Sequence, residues 1–140
     1  MQRRGQSILE LIVVLALVSV LVTIALAPLG HARDAAAVRA AVGEAAADFS
    51  AAREAALARR HLVAVVIDTA SSTLTARAAG TILVASRFRQ SYGVTIATNR
   101  DSAVYDARGL GYGVSNLSLV MRRGAVAETL VVSRLGRVRW

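Results

Sequence analysis

The chain has 140 residues, 55% of them hydrophobic and 19% charged, with a net charge of +8 carried entirely by arginine on the basic side. That content is too apolar for a disordered tail and exceeds that of an ordinary soluble domain. Cysteine is absent, which excludes disulfide frameworks, thiolate zinc sites and cysteine nucleophiles, and 4% aromatic residues leave little for a ladder that stacks single-stranded bases.

The charge is unevenly placed. Arg3 and Arg4 make residues 1–5 basic, residues 6–60 balance to zero, and residues 61–140 hold ten arginines against Asp68, Asp101, Asp106 and Glu128. The pattern is a basic leader, a neutral stem and a basic head. A basic head attracts polyanions; the plainer reading, and from charge alone the favoured one, is an arginine-rich solvated surface.

An apolar stretch runs from Ile8 to Leu29, interrupted by Glu10, Ser19 and Thr23. As a helix, Leu11–Leu29 would span about 28 Å, close to a hydrocarbon core. Arg3 and Arg4 favour a cytoplasmic start and export of the remainder. Three readings fit. A cleavable signal peptide would be cut near Ala25-Leu26-Ala27, but Pro28 follows at once and the apolar run is longer than usual. A plain membrane anchor explains everything except the acid at Glu10. In the third reading the chain is cut after Gly5. Glu10 then becomes the fifth residue of a chain starting at Gln6, and a neighbouring copy's new α-amino group can neutralise it.

Gly5-Gln6-Ser7-Ile8-Leu9-Glu10-Leu11-Ile12-Val13-Val14-Leu15-Ala16 resembles the signal of type IV pilins and type II secretion pseudopilins. The resemblance implies that prepilin peptidase cuts after Gly5 and methylates Gln6, and that Glu10 guides assembly by pairing with an adjacent subunit. Gln6 departs from the family's usual phenylalanine. The same resemblance implies a bacterial inner-membrane protein with a single span, a cytoplasmic N-terminus and a periplasmic or extracytoplasmic head, which later enters a filament. Its partners would be other pilins or pseudopilins, through the N-terminal helix.

The stem continues the helix. Pro28 and Gly30 predict a bend or a melted turn. From Ala32 the pattern is amphipathic: Val38, Val42, Ala45, Phe49, Ala52 and Ala56 recur at spacings of four and three. One long helix is expected from about Ser7 to Arg60. The head then reads as short strands: 61–67, 72–77, 81–85, 94–97, 103–105, 116–121, 129–134 and 138–140, with glycines at several breaks. The expected fold is therefore α+β and pilin-like, a long N-terminal transmembrane helix packed on a small, mostly antiparallel sheet. Its segments are a leader (1–5), a membrane or filament-core helix (6–30), an amphipathic stem (31–60) and a β-rich head (61–140).

Three later stretches are similar to the GspH/FimT branch of minor pseudopilins: Ala52-Arg53-Glu54-Ala55-Ala56-Leu57-Ala58-Arg59-Arg60, Val104-Tyr105-Asp106-Ala107-Arg108-Gly109, and Thr129-Leu130-Val131-Val132-Ser133 followed by Arg134-Leu135 and the turn Gly136-Arg137-Val138-Arg139. The resemblance implies a structural subunit of a type II secretion pseudopilus or a type IV pilus-like filament. In some FimT-type pilins the last motif belongs to a DNA-binding surface used in uptake. Arg137 and Arg139, with Arg134, Arg122 and Arg123, are the candidates, since guanidinium groups form paired hydrogen bonds with phosphate. The alternative, favoured here, is that Gly136 supplies a bend and the arginines are solvated or pair with acids. Neither His31 nor His61 has an acid and a nucleophile at recognisable spacing. No enzyme, cofactor, metal or small-molecule substrate is expected. Gly109-Leu110-Gly111-Tyr112-Gly113 lacks the lysine of a P-loop and is expected to be a flexible turn.

Overall fold

The computed structural model describes residues 8–112 and 116–140, so Gly5 and Gln6 lie outside the described residues. One helix, α1, covers Ile8–Arg59. It is continuous through Pro28, where the sequence predicts a bend or a melted turn. Proline removes one backbone donor, and the turns on either side keep theirs. Residues up to Arg33 form one compact unit and Asp34–Trp140 the second.

In the first unit, every side chain from Ile8 to Ile24 is exposed. The polar residues of this run are served locally. Ser19 Oγ donates to the Leu15 carbonyl and Thr23 Oγ1 to the Ser19 carbonyl, both at 2.8 Å. The hydroxyls thus carry their partners with them, as an apolar solvent requires.

In the second unit, α1 places its small-residue stripe inward. Val38, Val42, Ala45, Phe49, Ala52 and Ala56 are all 0% exposed. They share one core with residues from two antiparallel sheets. In chain order the remaining elements are β1 (Val63–Asp68), β2 (Thr73–Ala78), β3 (Thr81–Arg87), α2 (Phe88–Tyr92), β4 (Thr95–Thr98), β5 (Ser102–Tyr105), β6 (Gly111–Tyr112), β7 (Leu117–Arg123), β8 (Val126–Val132) and β9 (Val138–Arg139). The first sheet has the order β3-β2-β1-β5-β6 and the second β4-β7-β8-β9. The head is thus built on two sheets where one was expected. The fourth strand crosses to pair with β7 and leaves its sequence neighbours in the other sheet.

Local chemistry accounts for the turns. Asp68 Oδ1 accepts from the backbone N–H groups of Ala70 and Ser71, and Oδ2 accepts from Ser71 Oγ at 2.6 Å. These bonds close the β1–β2 connection and hold the Asp68 carboxyl below its ordinary range. Ala79 and Gly80 both have positive φ, which makes the two-residue β2–β3 loop a type I′ turn. The short α2 was not expected. Its Phe88 is fully buried, and Gly93 ends it in the left-handed region, with its N–H on the Arg89 carbonyl.

Candidate interaction surfaces

Two surfaces stand out, one in each unit. The first is the apolar helix. Its large side chains from Ile8 to Ile24 are between 48% and 80% exposed. Among the described residues α1 is the one helix long and apolar enough to cross a membrane. A continuous apolar surface of that size is not left in water. Glu10 lies in its first turn, where the positive end of the helix dipole favours an acid.

The second surface is built around Arg53. This residue borders the buried stripe of α1, and its Nε donates to the Gly109 carbonyl at 2.9 Å. Gly109 ends a tight turn in which its N–H bonds the Asp106 carbonyl, while Asp106 Oδ1 accepts from the N–H groups of Arg108 and Leu110. Those bonds, with Leu110 foremost, pull the Asp106 carboxyl below its ordinary range. Gly136 packs on the same point. It has φ +72°, and a Cβ there would stand 2.6 Å from the Gly109 carbonyl oxygen and 3.0 Å from Arg53 Nε. Only glycine fits. The three short motifs separated in the sequence therefore meet at one junction, with Arg53, Gly109 and Gly136 in mutual contact. The Gly109–Gly111 stretch, expected as a flexible turn, is tied by backbone bonds on both sides. The Gly111 N–H bonds the Arg134 carbonyl at 3.0 Å, linking the edge of the first sheet to the last hairpin of the second, while Gly113 lies outside the described residues.

That hairpin has definite geometry. The Gly136 N–H bonds the Ser133 carbonyl, and the Ser133 N–H bonds the Arg137 carbonyl at 2.8 Å. This is a three-residue loop with a left-handed glycine making a bulge. Since Ser133 and Arg137 form a hydrogen-bonded pair, alternation makes Val131–Arg139 the next one and Val132–Val138 a non-hydrogen-bonded pair. The Val138 N–H and C=O therefore point away from β8, toward the free edge of the sheet.

The free edge faces a groove of about 680 Å³ lined by Gly43, Ala46, Ala47, Ser50, Arg53 and Glu54 of α1 and by residues 136–140. Arg137 and Arg139 are both exposed in it, and among the described residues neither is in an ion pair. The other candidate arginines lie elsewhere. Arg134 lines a separate cleft of about 140 Å³ with Arg100 and Tyr112. Arg122 and Arg123 pair with Ala127 and Val126, whereas Arg139 pairs with Val131 at the opposite end of β8. That separation is roughly 13 Å of strand, in addition to the width of two strands. Arg123 is also engaged: its Nε is 2.9 Å from Asp34 Oδ1, and its Nη1 donates to the Tyr92 carbonyl. The structure thus brings Arg137 and Arg139 together and disperses the rest. Arg53 and Trp140 join them in the groove. Sequence reasoning placed both residues but gave neither this role.

No group of three or more histidine, aspartate or glutamate side chains could hold a metal ion among the described residues. Among the described residues two buried side-chain polar atoms lack partners, Asp48 Oδ2 and the Tyr105 hydroxyl. Burial pushes the Asp48 carboxyl up against the opposing hydrogen bond of Ser86, and Glu44 adds to the rise. Burial likewise pushes the Tyr105 phenol up to about 12, with nearby Arg53 opposing it.

The fold has counterparts among known structures. Two crystal forms of the type IV minor pilin FimU of Pseudomonas aeruginosa (strain PAO1) share it. One gives a TM-score of 0.62 at 16% identity over 73% of this chain and 86% of that one. The other gives 0.59 at 16% identity over 72% and 90%. The fold is type IV minor pilin-like. No family model matches the sequence, and no curated protein does.

Proposed function

We propose that the chain is a filament subunit of the minor pilin or minor pseudopilin class, of the GspH/FimT type. It is inserted in the bacterial inner membrane with its start in the cytoplasm and its head outside. Prepilin peptidase trims it after Gly5 and methylates Gln6, and it then joins other pilin-like subunits through α1. One observation carries this reading: a helix whose apolar residues from Ile8 to Ile24 are all exposed continues into a head of minor pilin-like fold. Burial among neighbouring helices supplies the drive for association, since each fully buried leucine or valine contributes about 1.5–3 kcal/mol against water. Within a membrane the balance shifts toward packing and polar pairing. Glu10 is the charged element in that interface.

The test is Glu10→Ala in a host that assembles the filament. The variant is expected to reach the membrane at normal levels and to fall sharply in sheared filament fractions. Normal incorporation counts against the assembly role. A nucleic-acid role receives less support from the geometry. Arg137 and Arg139 alone would neutralise about two phosphates, which gives weak and strongly salt-sensitive binding.

A further inference from the structure

We infer that the groove between α1 and β9 is a strand-accepting slot for an extended acidic segment of a different protein. The slot belongs to the head alone and does not depend on the filament reading.

Three features define the slot. One wall is the free edge of β9, which presents the Val138 N–H and C=O outward and, among the described residues, has no partner strand on that side. Unpaired edges are the places where an extended peptide adds to a sheet. The opposite wall is a helix surface of small residues, Gly43, Ala47 and Ser50, at spacings of four and three. Ser50 Oγ turns back onto the Ala46 carbonyl, so its polar atom is already satisfied. Small side chains here keep the slot open next to the edge, and larger ones would fill it. The third feature is charge. Arg137 and Arg139 project from the strand that forms the edge, two residues apart, and Arg53 stands at the inner end against a single acid, Glu54.

Alternate residues of an added strand share one face. A segment with carboxylates two residues apart therefore matches the two guanidinium groups in register, and charge-assisted, bidentate bonds favour carboxylate at that spacing. A second copy of this chain does not fit. Its nine acids include no pair two residues apart, and its net charge of +8 opposes docking on an arginine pair. A nucleic-acid duplex does not fit either, because its backbone offers no N–H and C=O groups to the Val138 edge.

Trp140 lines the slot and is the only tryptophan of the chain, so its fluorescence reports occupancy directly. The experiment uses the full chain in detergent, titrated with an eight-residue peptide of alternating valine and aspartate. A saturable change in Trp140 emission is expected. The same peptide N-methylated at alternate amides, which cannot pair along one edge, is expected to lose about tenfold in affinity, as is the unmodified peptide on an Arg137→Glu, Arg139→Glu variant. Val138→Pro removes the outward donor and leaves the β8 pairing in place, and should weaken binding similarly. An unchanged affinity for the N-methylated peptide overturns strand addition. So does a change in emission produced by duplex DNA but not by the peptide. An alternating valine–lysine peptide that binds as well as the acidic one overturns the charge assignment.

Discussion

Residues Ile8–Ile24 and Val38–Ala56 belong to one helix and have opposite surroundings. Along the first stretch every side chain is exposed and nearly all are large and aliphatic; along the second, a stripe of alanine, valine and a single phenylalanine is closed off from solvent. Helix formation and helix burial are therefore specified separately. Alanine-rich stem sequence favours the helix by propensity, and its small side chains admit two sheets to the same face. The first stretch leaves its apolar surface exposed, as a membrane anchor would.

Matched truncations in the two stretches should have unequal outcomes. Phe49→Ala should destabilise the head by about 3–5 kcal/mol, read as a fall in the thermal midpoint of the detergent-solubilised chain. Leu17→Ala, 60% exposed in the native chain, should leave that midpoint unchanged. Equal falls would contradict the separate roles of the two stretches.

Smaller effects report what holds the second stretch down. Gly136→Ala forces a Cβ against the Gly109 carbonyl at positive φ and should cost about 2 kcal/mol or more by chemical denaturation. Arg53→Met keeps the hydrophobic stem but removes the bond to Gly109; a loss of about 1–2 kcal/mol is expected. A double variant should lose less than the sum, because the two residues share one junction. Full additivity would separate them.

The smallest effects concern the two buried groups with an unpartnered oxygen. Tyr105→Phe removes an unpaired hydroxyl and should change stability at neutral pH by no more than about 1 kcal/mol. The native Tyr105 holds its proton to about 12 in the folded state against 10.0 ordinarily, so the folded chain binds the proton more tightly than the unfolded chain does. Its contribution is therefore lost as pH rises from 10 to 12, and the variant should not show that loss. The Asp48 carboxyl has the same sign at lower pH. Its folded value lies above 3.8, so its contribution is greatest below 3.8 and declines as pH rises through the raised value. Asp48→Asn should flatten that slope in a pH series of unfolding curves.

Much of this architecture could be read before any coordinates. All six residues of the Val38–Ala56 stripe are fully buried, because a four-three repeat sustained over about five turns draws one continuous face along a helix. Asp68 and Gly80 mark their turns through local bonds and backbone angles. The division into two sheets could not be read, since strand periodicity reports a buried face and not a partner. The fourth strand sits between β3 and β5 in sequence and pairs with β7. Phe88–Tyr92 is too short to show a helical repeat, and only Gly93 hinted at its end. The junction of Arg53, Gly109 and Gly136 was present as three fragments whose meeting depends on the folded chain. The arginine patch was legible only in part, as alternation relates Arg137 to Arg139 but says nothing of Arg122, Arg123 or Arg134.

Whether α1 is the assembly element of a trimmed filament subunit is decided by mass spectrometry of the N-terminal peptide from chain extracted out of native membranes. The expected peptide begins at Gln6 and carries a methylated α-amine. A peptide that begins at Met1, or one that begins at Pro28 after a signal-peptide cut, would contradict the proposal.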